Sequence, residues 1–449
     1  MTATAGVEPA GRADAVLSVS PARRRTRLWL VALVCGIVAS VHSLAYVFAT
    51  PPWAIEDEEQ HVDYVLSLRD HGHIPRVDET IRPSIVASTI DTRRWESLGL
   101  GVTFLERDPA KRGLEGLSYE GYQPPLYYLL LVPVVAPLGD RPLAAMYAGR
   151  LVGALCAGLG AAFAALLAAR WARGVRPAHA ALLAGLFLGA IPVYAEAMAR
   201  VNNDTGLAVT VVGSLLLMAR FVERPDSWRA LAIGACLGAA VAMKVSALVA
   251  IAPAAVALLS ARRTCPRRVS LTHVTAIAAP PAVVAVWWML VTRQRYGVLN
   301  PVTGFVARIG RFPSLGMTTL ARDALRLTGL PYGQWHTGPV VAAGVLAATA
   351  AGMVAMARQR GRALALWSVI TLVLGTVIGL LQANAAGVVN AFNTRYILLA
   401  YPAVVAAAAT GWVVARCRLA AALPVAAMWA LAVLFFVVGF LPRFPFRVG

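Results

Sequence analysis

Long apolar runs alternate with short basic clusters along this chain. The apolar runs fall at 29–49, 142–169, 178–197, 205–222, 229–243, 246–261, 272–292, 337–357, 363–381, 396–415 and 419–441. Many reach the roughly 20 residues that a helix needs to cross a bilayer. They are continuous rather than alternating, which excludes a β-barrel. The pattern predicts an all-α polytopic membrane protein with about 11 transmembrane helices. The runs 229–243 and 246–261 are short for spans and predict two tilted helices meeting at Lys244. The stretch "PPLYYLLLVPVVAPLG" (124–139) is apolar but short and proline-rich, and it predicts an interfacial or re-entrant helix.

The basic clusters order these spans. Arg23–Arg27, Arg170/Arg173/Arg176, Arg224/Arg229, Arg262/Arg263/Arg267/Arg268, Arg358/Arg360/Arg362 and Arg416/Arg418 all fall on one side when eleven spans alternate. The positive-inside rule puts that side in the cytoplasm, which predicts a plasma-membrane protein with a cytoplasmic N-terminus. Residues 1–28 read as a disordered cytoplasmic tail, 29–441 as the transmembrane domain, and 442–449 as a short outer tail. Two outer loops stand out, 50–141 and 293–336. The first holds fifteen of the chain's 22 acidic residues.

Composition narrows the function classes. Charged residues make up 14% of the chain, against about 25% in soluble domains. The net charge of +19 does not indicate nucleic acid, because the basic residues are confined to short inter-span clusters. The five cysteines lie in apolar runs or basic loops without metal-ligand spacing, so no structural disulfide is expected. No internal repeat supports an inverted-repeat transporter.

Candidate chemistry gathers on the predicted outer face. In "PPWAIEDEEQH" (51–61), four consecutive acids precede His61. Carboxylates this close repel, which raises at least one pKa and suits a general base or a cation site. If the segment is helical, Asp57 and His61 share a face, with Glu58 adjacent. The structural alternative is a solvated helix start, where acids are favourable. "YEGYQPPLYYLLL" (119–131) supplies Gln123 and Tyr127 at a rigid entry to an apolar helix, although interfacial tyrosines are ordinary anchors. "ARVNNDTG" (199–206) supplies Asn203 and Asp204, either of which could instead cap a helix. Lys244 is an intramembrane cation with no acid near it in sequence, suited to phosphate, with snorkelling as the alternative. Arg395 and Tyr396 in "NTRYILLAYP" (393–402) form either a phosphate-binding pair or an interfacial anchor.

The order of these motifs resembles the GT-C superfamily of membrane glycosyltransferases. The resemblance runs over most of 29–402: "PPWAIEDEEQH", "QPPLYY", "GRLVGAL", "VNND", the lysine of "GAAVAMKVSAL" and "TRYILLAYP". It is nearest to bacterial membrane proteins with a first-loop P-P-x-x-DE-x-x-H motif. The protein O-mannosyltransferases and the aminoarabinose transferase are more distant. The resemblance implies a GT-C-like fold and sugar transfer from a polyprenyl-phosphate donor to an envelope glycan, lipid or protein. It implies catalytic roles for Asp57, Glu58 and His61, with Asp57 the best match to the base, and donor-phosphate contacts from Lys244 and Arg395. Arg150 matches the arginine of the "RL" motif in a structural role. A divalent cation (Mg or Mn) at Asp57 and Glu58 is compatible with the chemistry but not required by it. The extra acids Glu56 and Glu59 depart from the family pattern. The competing classes are a lipid-linked-sugar flippase and a non-catalytic envelope assembly protein.

Overall fold

The computed structural model describes residues 21–54, 57–94, 106–266, 268–311, 316, 318–319, 339–359, 362–387, 394–415 and 418–441. The predicted tail up to residue 20, most of the second outer loop beyond 311, and residues 442–449 lie outside the described residues. Among those described, the chain is mostly helical, with one isolated β-bridge between Thr80 and Leu117.

Each predicted apolar run coincides with helix. The long helices are α1 (Pro21–Ala49), α5 (Pro142–Trp171), α8 (Asn203–Glu223), α11 (Leu271–Tyr296), α13 (Pro339–Ala357) and α14 (Ala363–Ala385). α6 (Pro177–Ala190) and α7 (Pro192–Met198) form one apolar pair bent by 69°. α9 (Ser227–Met243) ends at Lys244, where a 3-10 turn leads into α10 (Ile251–Thr264). α15 (Tyr401–Val414) and α16 (Arg418–Leu434) close the bundle. By length and composition, six of the described helices can cross a membrane, or seven with the bent pair as one span; shorter apolar helices account for the remaining runs. The start of α1 at Pro21 places Arg25 and Arg27 on its first turns.

Small residues bring these helices together. In lipid there is little hydrophobic drive between apolar helices, so close backbone approach supplies van der Waals contact. α5 turns a face of Gly149, Gly153, Ala157, Ala161 and Ala164 into the core. A Cβ on Gly153 would sit 2.1 Å from the Met198 carbonyl oxygen, and one on Gly36 would sit 3.0 Å from the Gly158 carbonyl oxygen. α13 and α15 meet at Gly352 and Gly411, where a Cβ on Gly411 would come 1.7 Å from the Gly352 oxygen.

The first loop is folded onto this bundle. Its described residues contain α2 (Glu58–His71), α3 (Pro83–Asp91), α4 (Leu126–Val135) and four 3-10 turns (Pro109–Lys111, Gly113–Gly116, Tyr119–Tyr122 and Ala136–Leu138). Trp53, Tyr64, Ile81, Ile85, Tyr128 and Met146 make a core of its own. α11 and α12 (Pro301–Ile309) hold its far side. Arg295 donates to the carbonyls of Ile74 (2.7 Å) and Pro75 (2.8 Å), and Trp288 Nε1 donates to Tyr122 O (3.0 Å). The amide of Val77 donates to Tyr296 Oη at 3.2 Å.

Two outcomes follow. Gly411→Leu should lower the thermal midpoint in detergent strongly, at a cost of about 1–3 kcal/mol or more from overpacking. Gly213→Ala, whose Cβ would meet Phe163 at an ordinary 3.6 Å, should leave it nearly unchanged. Arg295→Ala should speed amide hydrogen exchange in 74–79 and 119–123 by about tenfold, since about 1.4 kcal/mol of lost hydrogen bonding is tenfold in opening. The amides of 150–165 should not respond.

Candidate active site

The acidic segment is an interior structure rather than a wet loop. Every residue from Glu58 to Leu68 is buried. Buried carboxylates need partners, and each finds an arginine from elsewhere in the chain. Glu58 Oε1 and Oε2 accept from Arg150 Nε at 2.8 Å and Nη2 at 2.6 Å. Glu59 pairs with Arg94, which also lies 3.4 Å from Glu115. Asp63 accepts from the Arg82 amide (3.1 Å) and Nε (3.2 Å). Burial is the largest influence on Asp63 and pushes its carboxyl up against these bonds.

Arg150 does more than neutralise Glu58. Its guanidinium also donates to the carbonyls of Val47, Thr50 and Pro51 at 3.3, 2.9 and 3.1 Å. Those oxygens belong to the C-terminal end of α1 and the residues after it, where a helix leaves carbonyls unpaired. Glu58 Oε1 in turn accepts from the Val201 amide at 3.3 Å. One buried ion pair therefore ties together the end of α1, the start of α2, the middle of α5 and the turn before α8.

Asp57 is presented by this arrangement. It precedes α2 with φ +67°, a left-handed conformation uncommon for a residue with a side chain. Such backbone costs of order 1–3 kcal/mol and persists where its surroundings fix it. Asp57 is half-buried, and its Oδ1 accepts a hydrogen bond from Tyr119 Oη. Enclosure, and then the neighbouring Asp57, push the Tyr119 phenol well above its ordinary value. At neutral pH Tyr119 is thus a donor to Asp57.

His61 lies one turn on, buried, with Nδ1 2.9 Å from Tyr128 Oη and 4.0 Å from Glu120 Oε2. Tyr128 stacks on Tyr64 with ring centroids 3.8 Å apart. Tyr64 Oη donates to the backbone carbonyl of Gln123 at 2.9 Å. Gln123 and Tyr127 are both buried here, and Tyr127 packs beside Gly206 at the start of α8, next to Met243.

The predicted "VNND" cluster divides in two. The cap of α8 is Asn202, not Asn203 or Asp204, because the Asn202 side chain accepts from the Thr205 amide at 3.2 Å. Asn203 Nδ2 donates to Met243 O at 3.2 Å, and Asp204 is left to pair with Lys244. Lys244 Nζ donates to both Asp204 oxygens, at 2.8 and 2.9 Å, and lies 5.5 Å from the centre of the Tyr396 ring. Lys244 therefore has its acid, forty residues away in sequence. Arg395 falls in the 3-10 turn Thr394–Ile397, with its side chain outside the described residues.

Sequence reasoning missed three contributors. Tyr119 and Glu120 stand in the same "YEGYQPP" motif that suggested Gln123 and Tyr127, so the signal was present. The third is the buried ion pair of Glu196 with Arg200 at 2.6 Å, a single helical turn apart beside the "VNND" turn.

For a divalent cation, the fit at Asp57 and Glu58 is poor. Both Glu58 oxygens face the Arg150 guanidinium, so a cation there would have to displace a bidentate buried partner. Among the described residues, no three His, Cys, Asp or Glu side chains group as a metal site.

The fold resembles that of solved ArnT structures. ArnT from Cupriavidus metallidurans bound to undecaprenyl phosphate superposes with a TM-score of 0.53 at 17% identity, over 91% of this chain and 73% of that one. Apo ArnT from the same organism gives 0.52 at 18% identity, over 84% and 58%. Residues 124–288 match the family described as dolichyl-phosphate-mannose-protein mannosyltransferase. That segment runs from Pro124 to Trp288 and so includes "PPLYY", Arg150, the "VNND" turn and Lys244, and begins one residue after Gln123. No curated protein matches the chain significantly.

Proposed function

We propose that the protein transfers a sugar from a polyprenyl-phosphate-linked donor to a cell-envelope acceptor, on the extracytoplasmic face of the plasma membrane. Asp57 is the base. The observation that carries this reading is Asp57 itself. It is half-exposed, held in a left-handed conformation and oriented by Tyr119, at the edge of an interior whose other acids are each paired.

The chemistry balances with few groups. The acceptor hydroxyl gives its proton to Asp57, and its oxygen bonds to the anomeric carbon of the sugar. The bond from that carbon to the phosphate oxygen breaks, and the electron pair leaves with polyprenyl phosphate. Lys244, steadied by Asp204 and Tyr396, and Arg395 meet the phosphate and its growing charge. Tyr119 holds the carboxylate in one orientation, which saves reorganisation when the proton arrives. Glu58 acts through Arg150 as a positioning residue, and His61 steadies Tyr128 and the wall behind the site. No step is assigned to a metal. The similarity to ArnT bound to undecaprenyl phosphate and the mannosyltransferase family match over 124–288 support the donor class.

A transfer assay in reconstituted membranes, with radiolabelled polyprenyl-phosphate sugars and an envelope extract as acceptor, tests this. Asp57→Asn should reduce transfer by about 10²–10⁴-fold, the typical worth of a positioned base, with an unchanged thermal midpoint. Tyr119→Phe should reduce it by about tenfold, the rate equivalent of one hydrogen bond. Full transfer by Asp57→Asn would remove Asp57 from the role. Label that crosses the bilayer in wild type without forming a new bond would instead identify a flippase.

A further inference from the structure

The opposite, arginine-rich end of the bundle carries a second feature, independent of the transfer reading. There the last turns of α5, α8 and α10 and the first turn of α14 splay around a cavity of about 250 Å³. Its walls are apolar, with Leu215, Met218 and Ala219 from α8, Ala257 from α10 and Ala365 from α14. Its mouth is ionic, with Arg170, Glu223 and Arg362.

The charges at the mouth do not cancel. Arg170 and Arg173 both pair with the one carboxylate of Glu223. Arg173 and Arg220 lie within electrostatic reach of Arg170. Arg362 donates to the carbonyls of Trp171 (2.9 Å) and Arg173 (3.1 Å), and so caps the end of α5 with its positive charge intact. Three guanidiniums, of Arg170, Arg173 and Arg220, thus share one acid, and Arg362 adds a fourth positive charge at the mouth. In addition, Arg170 Nε is buried and has no hydrogen-bond partner. An unpaired buried N–H is costly, and it marks a position where an acceptor is wanted. The two lining hydroxyls nearest the end of α10 donate back to their own helix, Ser260 to Val256 O and Thr264 to Ser260 O.

Depth identifies the ligand. From Glu223 at the mouth to Leu215 is eight residues of helix, or about 12 Å at 1.5 Å per residue. The cavity is therefore a crevice with a cationic rim and an apolar shaft running along α8 into the bundle. Inorganic phosphate would use the rim but not the shaft. We propose that this crevice binds one anionic glycerophospholipid, with its phosphate on the excess guanidiniums at the mouth, Arg170 foremost, and part of an acyl chain along Leu215, Met218 and Ala257. Glu223 lowers the local charge by one and favours a diester carrying a single negative charge over a more highly charged anion.

Native mass spectrometry of the full-length protein in a non-ionic detergent, titrated separately with phosphatidylglycerol, phosphatidylcholine and inorganic phosphate, tests this. One phosphatidylglycerol should bind at least about fivefold more tightly than phosphatidylcholine, since charge-assisted bonds to phosphate are worth more than about 1 kcal/mol. Arg170→Gln should abolish that preference, because Arg173 still neutralises Glu223 and the fold is spared. Ala219→Phe, which fills the shaft and leaves every charge in place, should weaken phosphatidylglycerol by a similar factor. Equal binding of the two lipids would overturn the proposal, as would a preference that survives both variants. Displacement of phosphatidylglycerol by millimolar inorganic phosphate would show an anion site rather than a lipid site, and would overturn it too.

Discussion

The guanidinium of Arg150 is fully buried and donates five hydrogen bonds, two to Glu58 and three to backbone carbonyls at and after the end of α1. Much of the half of the molecule that carries the candidate site depends on this contact. A charge this deep is tolerable only when every donor is matched. The matches come from two separate parts of the chain, the end of α1 and the start of α2, so satisfying one arginine also fixes the relative positions of α1, α2 and α5. Glu58 extends the link to the Val201 amide, three residues before the aspartate that pairs with Lys244. Asp57, adjacent to Glu58, inherits its place and its left-handed backbone from this junction. The carboxylate proposed as the base is thus a by-product of a structural ion pair, set by what surrounds it rather than by its own bonds alone.

The bundle beneath serves the same end by a different interaction. Alanine and glycine faces let backbones touch, as at Gly153 against Met198 O and at Gly411 against Gly352 O. Helices packed this closely leave few degrees of freedom at their ends. α5, α8 and α9 can therefore carry Arg150, Asp204 and Lys244 at fixed separations. The first loop is then clamped from the far side by Arg295, Trp288 and Tyr296. The site is built on helix termini and short turns supported by rigid helices, an arrangement suited to holding polar groups in fixed geometry.

Spans were legible from apolar runs because lipid imposes a length and forbids unpaired backbone. The break at Lys244 was legible because two short runs flank it. The acidic cluster was legible as unusual, yet its burial was not. A window around "EDEEQH" shows only repelling carboxylates. Their partners Arg150 and Arg94 lie 92 and 35 residues away from Glu58 and Glu59, beyond any local pattern. For the same reason Lys244 read as unaccompanied, while Asp204 stood forty residues upstream. The cap of α8 was misplaced by a residue or two, at Asn203 or Asp204, because Asn202, Asn203 and Asp204 are nearly equivalent as caps and only the backbone decides among them. Tyr119 was overlooked because nothing in its own motif shows that it reaches Asp57.

The dependence on the Glu58–Arg150 pair is tested most directly by a double-mutant cycle on stability in mild detergent, with Glu58→Gln, Arg150→Met and the two combined. Removing one partner of a buried pair leaves an uncompensated group, at about 3–5 kcal/mol. The account predicts that each single change destabilises severely. It also predicts that the double variant recovers part of the loss, with a coupling energy of about 2–3 kcal/mol for residues in direct contact. Single effects that simply add would mean that Glu58 and Arg150 stabilise the protein independently. They would contradict the claim that their union holds Asp57 in place.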